Sequence, residues 1–305
     1  MHQPVLLEET VSHLVTDPDG VYVDCTVGGG GHLKYLLSKL TPRAQIIGLD
    51  KDADILRKTQ MSINAPSLKL VHADFRFLSE VLAREGIGLV DGIMIDLGVS
   101  SFQLDNAERG FSFHEDSRLD MRMNQEQAFS AWDLINSYSE EEISDILFKY
   151  GEEKHARRIA RGIVQYRGQK TIDSTLELVD IIKSSVPAAY RREKHPARKS
   201  FQAIRIAVNG ELDALNKVLP QAIQALKVGG KLCVITFHSL EDRIVKHFMQ
   251  ENARECICPP GLPICVCNHK PQLGIITRKP IAPGEKECEF NPRARSARLR
   301  VAVKK

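Results

Sequence analysis

Residues 21–32 read Val21-Tyr22-Val23-Asp24-Cys25-Thr26-Val27-Gly28-Gly29-Gly30-Gly31-His32. A short β-rich apolar run ends on an acidic residue and passes through four glycines. It then enters a segment whose Leu33, Leu36, Leu37 and Leu40 fall at i, i+3, i+4 and i+7, one face of a 3.6-residue period. Strand, glycine loop and helix in that order form the first unit of a doubly wound α/β sheet, the loop lying where backbone approaches a ligand. Working outward, apolar runs at 45–49, 68–71 and 92–97 read as further strands, with a helix at 53–62. Strands nearly continuous in apolar residues, alternating with helices, indicate a parallel sheet covered on both faces.

After Gly98 the alternation gives way to helices joined by loops, two of them opened by capping boxes, Ser139 with Glu142 and Ser174 with Glu177. Pro187 and His195-Pro196 punctuate the end of this region. A long helical pattern then runs from Phe201 through Pro220 to Gly229-Gly230. Strand signals return at 231–237, 274–281 and 297–303, with a helix at 239–253. The expected organisation is one α/β domain in two parts, 1–102 and 200–305, interrupted by a helical substrate-binding insertion at 103–199.

The chain has 305 residues, 43% hydrophobic and 27% charged, which excludes disordered and fibrous classes. No run approaches the ~18 consecutive apolar residues of a membrane span, and the N-terminal residues lack a basic region before an apolar one. The seven cysteines are an odd number in a chain large enough to fold without disulfides, so a reducing cytoplasm is the expected location. The formal net charge of +3 hides a segregation: 149–205 holds 14 basic and 6 acidic residues, and 278–305 holds 9 and 3. Solvated helix faces would account for either segment alone; two together point to a polyanion partner.

Asp50 follows Gly28 by 22 positions, at the end of the second strand, from where a carboxylate reaches a ribose diol. A dinucleotide would need a third glycine where Leu33 stands, and a P-loop would need Gly-Lys-Ser/Thr where the chain reads His32-Leu33-Lys34. S-adenosylmethionine has no phosphates. Its needs are glycine backbone beside the methionine part, a ribose carboxylate and contacts around adenine, for which Asp74-Phe75 after the third strand is placed. The alternative is a plain glycine turn with Asp50 as a helix cap.

The motifs Asp96-Leu97-Gly98-Val99-Ser100-Ser101, Gln103-Leu104-Asp105, Glu108-Arg109-Gly110-Phe111-Ser112-Phe113 and Leu119-Asp120-Met121-Arg122-Met123 follow in order. Further on come His195-Pro196-Ala197-Arg198, Phe237-His238-Ser239-Leu240-Glu241-Asp242-Arg243 and Asn291-Pro292-Arg293-Ala294-Arg295-Ser296. This series resembles the ribosomal RNA small subunit methyltransferase H family over essentially the whole chain. The resemblance implies a class I S-adenosylmethionine-dependent methyltransferase, Rossmann-like with an inserted helical domain. It also implies a target, the exocyclic N4 of a cytidine in the decoding region of 16S ribosomal RNA. By motif, cofactor contacts fall on Gly30, Gly31, His32, Asp50, Phe75, Asp96 and Gln103. Many amino-methyltransferases carry Pro-Pro and an aromatic after the acidic residue of strand four; here the chain reads Leu97-Gly98-Val99, which leaves open what holds the amine.

Methylating an exocyclic amine needs an acceptor that draws an N–H aside and an in-line approach to the methyl. Asp96, or the carbonyls near Leu97 and Gly98, is the expected acceptor, with Ser100, Ser101 and His238 near the base. Methylation at carbon 5 would need a cysteine nucleophile, and Cys25 and Cys233 read as small buried hydrophobes. Arg157, Arg158, Arg161, Arg191, Arg192, Lys194, Arg198 and Lys199 in the insertion, with Arg293, Arg295 and Arg298 near the end, are candidates for phosphate contacts. A methyltransferase for another RNA base or a protein, a nicotinamide-dependent oxidoreductase and a non-enzymatic RNA-binding protein are the competing readings.

Cys256-x-Cys258 and Cys265-x-Cys267, followed by His269, would make a structural thiolate site for zinc, although the one-residue spacing inside each pair is shorter than the usual two to four. The alternative is a loop of reduced thiols. The chemistry of amine methylation calls for no metal in the catalytic site.

Overall fold

The computed structural model describes residues 4–193, 195–258 and 266–305, of Glu193 the backbone alone. It separates into two compact units, Met1–Gly98 with Leu212–Lys305, and Val99–Glu211. The helical unit thus reaches from before Ser100 to beyond Asn209, wider than the 103–199 expected from sequence. The helix Ala197–Asn209 packs its apolar face into the helical core and extends the unit.

The first unit runs α1 (Leu7–Leu14), β1 (Val21–Asp24), α2 (Gly31–Leu37), β2 (Gln45–Asp50), α3 (Ala53–Ser62), β3 (Leu68–His72), α4 (Leu78–Arg84) and β4 (Val90–Asp96). The helical unit holds α5 (Ser101–Asp105), α6 (Ala131–Ser137), α7 (Glu140–Gly151), α8 (Ala156–Arg167), α9 (Thr175–Ser185), α10 (Ala188–Glu193) and α11 (Ala197–Asn209). The chain then continues through α12 (Glu211–Ala225), β5 (Leu226–Thr236), α13 (Ser239–Asn252), β6 (Leu273–Ile275), α14 (Glu285–Phe290) and β7 (Arg298–Lys304). The seven strands lie in the order β3-β2-β1-β4-β5-β7-β6. Strands β1 to β5 are parallel, and β7 runs antiparallel between β5 and β6.

Alternate residues of the central strands feed two cores, one on each face. Val23, Ile93, Ile95, Leu232 and Val234 pack with α4, α12 and α13, while Tyr22, Met94, Cys233 and Ile235 pack with α1, α2 and α3. Truncating a fully buried leucine here, such as Leu33 or Leu36, would cost about 2–5 kcal/mol. The helical unit has its own core, lined by Leu134, Ile143, Leu147, Ile159, Ile163 and Ile204.

Three expectations are corrected. The strand expected at 274–281 is only Leu273–Ile275, because Ile276 and Thr277 both donate to the Val301 carbonyl, at 3.0 and 3.2 Å, and this irregularity ends the ladder. Pairing resumes as a single bridge, Ile281 to Leu299. The strand expected from 231 begins at Leu226, which pairs with Val90, with residues 227–230 absorbed as an irregularity before Lys231 meets Gly92. The long helix expected from 201 is two helices, divided where Gly210 adopts φ 59 and caps α11.

Candidate active site

Strand order reverses between β1 and β4, and the carboxyl ends of strands flanking such a reversal form the ligand crevice of open α/β sheets. After β1, Gly30 sits at φ 73, and a Cβ on it would lie 2.8 Å from the side chains of Thr59 and Ile63. Both constraints require glycine. Gly28 is held at both polar groups. Its N–H donates to Asp50 Oδ2 at 2.8 Å, and its carbonyl accepts from the Thr59 hydroxyl at 2.8 Å. The other Asp50 oxygen accepts from the Asp52 N–H at 2.9 Å, while Asp52 itself caps α3. Asp50 is therefore fixed by backbone and is not the helix cap.

At the end of β4, the Asp96 N–H donates to the Thr26 hydroxyl at 2.6 Å. Asp96 Oδ2 lies 3.7 Å from His32 Nδ1, and Oδ1 is buried with no hydrogen-bond partner. His32 is buried, with Nε2 3.1 Å from the Val5 carbonyl; a carbonyl only accepts, so Nε2 carries the proton. Burial, then the charges of Asp24 and Glu241, pushes the Asp96 carboxyl well above the carboxylate range. Burial likewise lifts the fully buried Asp24 to about 7. Asp50 is raised by burial against the opposing pull of its two N–H bonds.

His238 stands at the start of α13 as its N-cap, its Nε2 3.1 Å from Glu241 Oε1. Glu241, 1% exposed, returns the interaction by accepting from the Phe237 and His238 N–H groups at 2.8 and 3.3 Å. Asp24, Thr26 and Glu241 join this cluster around Asp96 without being candidates in the sequence. The signal for Glu241 is its position three after His238, the spacing of a capping box.

In the helical unit, Ser100 and Gln103 are partners in a capping box on α5, with Gln103 buried. Buried Arg109 donates to the Arg122 and Met123 carbonyls, each at 2.9 Å. Asn209 grips the same loop, accepting from Met123 N–H and donating to the Met121 carbonyl, both at 2.7 Å. Several motif residues of this unit thus hold a loop in shape.

Phe75 opens a 3-10 turn capped by Asp74 and packs partly buried on the core. Arg157, Arg158 and Arg161 lie exposed on α8, with Arg161 Nε 3.6 Å from Glu140. Arg191 and Arg192 are exposed on α10 and Arg198 on α11, whereas Lys199 donates to the Glu152 carbonyl at 2.9 Å. Arg293 and Arg295 are exposed in the turn Pro292–Ser296, and Arg298 is half-buried. Lys194 and Cys265 fall outside the described residues. Burial holds the Cys25 thiol well above its usual range and lifts Cys233 to about 12, so neither supplies a thiolate nucleophile.

A glycine loop bordered by the carboxyls of Asp24, Asp50 and Asp96 is complementary to a cation, which favours their ionised form. The donor set therefore fits S-adenosylmethionine, whose sulfonium is positive. Five parallel strands with a reversed β7 beside β5, and this site at the β1/β4 reversal, define a class I methyltransferase.

Over residues 1–305 the chain matches the MraW methylase family, and it belongs to that family. It is 51% identical over 304 residues to "Ribosomal RNA small subunit methyltransferase H" of Clostridium botulinum (strain Loch Maree / Type A3), covering 99% of this chain and 98% of the relative. Proteins of the same name from Caldicellulosiruptor saccharolyticus and Clostridioides difficile are 50% and 49% identical, each match covering 99% of this chain and 99% and 98% of the relative.

Proposed function

We propose that the chain methylates the exocyclic N4 of a cytidine in the decoding region of 16S ribosomal RNA, on the small ribosomal subunit in the cytoplasm, with S-adenosylmethionine as donor. The observation that carries the reading is the buried, unpartnered Oδ1 of Asp96 at the carboxyl end of β4: an acceptor in want of an N–H donor, set beside the glycine loop. The names of the relatives support the RNA substrate, and the exposed arginines of α8 and α10 support phosphate contacts.

In this reading the glycine loop lies along the methionine part of the cofactor, with Gly30 and Gly31 giving close backbone approach. Asp50 would accept from the ribose hydroxyls and Phe75 would pack beside adenine, with His32 completing the contacts within this unit; Gln103 is assigned to the cofactor by the family motif alone. When bound, the cofactor supplies an electrophilic methyl on a positive sulfur. A cation near Asp96 restores its carboxylate form, since opposite charge favours ionisation. Asp96 Oδ1 then accepts an N–H of the amine, which turns the nitrogen lone pair out of conjugation and gives the departing proton an acceptor. Ser100 and His238 are assigned to the region of the base. A cytosine stacked in RNA conceals its amine, so the base is extruded before reaction, and the basic helices are assigned to hold the backbone meanwhile.

The test is methyl transfer from labelled S-adenosylmethionine to small subunits from cells lacking this protein, with the product nucleoside identified by mass spectrometry. N4-methylated cytidine is the expected product. Label in a different nucleoside would overturn the atom and base assignment while leaving the methyltransferase intact.

A further inference from the structure

Between α13 and β6 the chain makes a long loop whose base is closed by the Gln272 N–H donating to the Asn252 carbonyl at 2.9 Å. Within it the sulfurs of Cys256, Cys258 and Cys267 all lie within 4.8 Å of one another. Cys256 and Cys267 are 3.8 Å apart, far beyond the ~2.05 Å of a disulfide. Four sulfurs placed tetrahedrally at ~2.3 Å from zinc are separated by about 3.8 Å, so this spacing is that of one edge of a zinc–thiolate tetrahedron.

Two further observations favour a metal. Backbone N–H groups point at the sulfurs, Cys258 N–H to Cys256 Sγ and Val266 N–H to Cys258 Sγ, each at 3.4 Å. Such donors stabilise thiolate charge and orient ligands around a metal. Apolar burial gives no reason for the convergence: among the described residues from 254 to 270 none is buried, and Ile257 and Val266 are 56% and 71% exposed. Described residues that bring three thiols together while none of them is buried are what a metal cross-link produces.

We propose that Cys256, Cys258 and Cys267 form a structural site for a thiophilic divalent cation, zinc, which staples this loop. Each thiol gives its proton to solvent as its sulfur bonds the metal, so binding three thiols releases three protons. The site lies apart in sequence from the glycine loop, Asp50 and Asp96, and its role is to fix the loop.

The experiment uses the full chain, purified with reductant, incubated with zinc and desalted. One zinc per chain is expected by elemental analysis. Cobalt substitution should give an intense near-ultraviolet thiolate-to-cobalt charge-transfer band, and chelation should speed proteolytic cleavage within 254–270. The variant C256S/C267S should lose the metal and the cobalt band while keeping the far-ultraviolet circular dichroism and cofactor affinity of the parent. Wild-type protein without bound zinc, a variant that binds zinc as the parent does, or an untreated protein two hydrogens lighter through a disulfide would each overturn the proposal.

Discussion

Asp50 Oδ2 accepts the Gly28 N–H at 2.8 Å, tying the end of β2 to the glycine loop after β1. One carboxylate thus shapes the loop, and the proposed function gives it the ribose as a second partner. Hydrogen bonds to charged groups are worth about 1.5–3 kcal/mol, so Asp50→Ala should weaken S-adenosylmethionine binding by roughly 10- to 100-fold. Asp50→Asn, which keeps an acceptor for one of the two N–H groups, should fall between. RNA affinity should be nearly unchanged in both. Calorimetry for the cofactor and filter binding for RNA give the two readouts, and an equal loss of both would remove Asp50 from the cofactor site.

The buried acids make cofactor binding pH-dependent. Asp24 and Asp96 have folded-state values raised above those of an unfolded chain, Asp24 to about 7. Their contribution to stability is full below the unfolded value and is lost as pH rises to the folded one, so from Asp24 the free protein should lose stability as pH climbs from the ordinary carboxylate range to about 7 and change little above it. A cationic ligand favours the ionised acids, and its affinity should rise over the same interval, by up to about tenfold per pH unit for each proton released. Calorimetry in buffers of differing ionisation heat should detect that release. S-adenosylhomocysteine, whose sulfur is neutral, should show a weaker dependence, and Asp24→Asn should flatten it. Equal pH dependence for the two ligands would contradict this account of the acid cluster.

His238 raises a question that stability and rate answer separately. It caps α13 against Glu241, and loss of a cap costs about 0.5–2 kcal/mol. His238→Ala should therefore lower thermal stability by that amount. His238→Asn, a good capping residue, should restore it. If the ring also meets the base, kcat in the Asn variant should stay depressed with the stability recovered. Full recovery of both would confine His238 to the cap.

The parts of the fold that are legible in the sequence are those whose signals are local. The helix α3 occupies Ala53–Ser62 as its periodicity predicts, and both expected capping boxes, Ser139 with Glu142 and Ser174 with Glu177, are formed. What is not legible depends on partners far along the chain. Leu226 joins β5 only because Val90 pairs with it across the irregularity before Lys231, and Gly229-Gly230 read alone is a turn. The end of β6 is set by two N–H groups sharing the Val301 carbonyl. In the site, glycines and Asp50 carry a recognisable spacing. Glu241 carries only a three-residue spacing to a histidine, and helix caps are recognised by Ser, Thr, Asp or Asn, so the cap it forms is hidden until the two side chains are seen together.

The arginines of the helical unit make the last prediction. Ile159, Ala160 and Ile163 turn one face of α8 into the core, leaving Arg157 and Arg158 exposed on the other. Arg191 and Arg192 are likewise exposed on α10. Arg167, by contrast, donates to the Ile135 carbonyl at 2.5 Å and also bonds the Tyr138 carbonyl, so it belongs to the scaffold. Reversing Arg157, Arg158, Arg191 and Arg192 to Glu should leave the fold and cofactor affinity intact while weakening RNA binding. For every phosphate left without its arginine, the slope of log affinity against log salt should fall by roughly 0.7–0.9. Arg167→Glu should instead lower thermal stability, because two carbonyls lose their donor. Filter binding of small-subunit RNA across a salt series separates the cases: a slope unchanged by the fourfold reversal would place the RNA path elsewhere, with Arg293 and Arg295 the next residues to reverse.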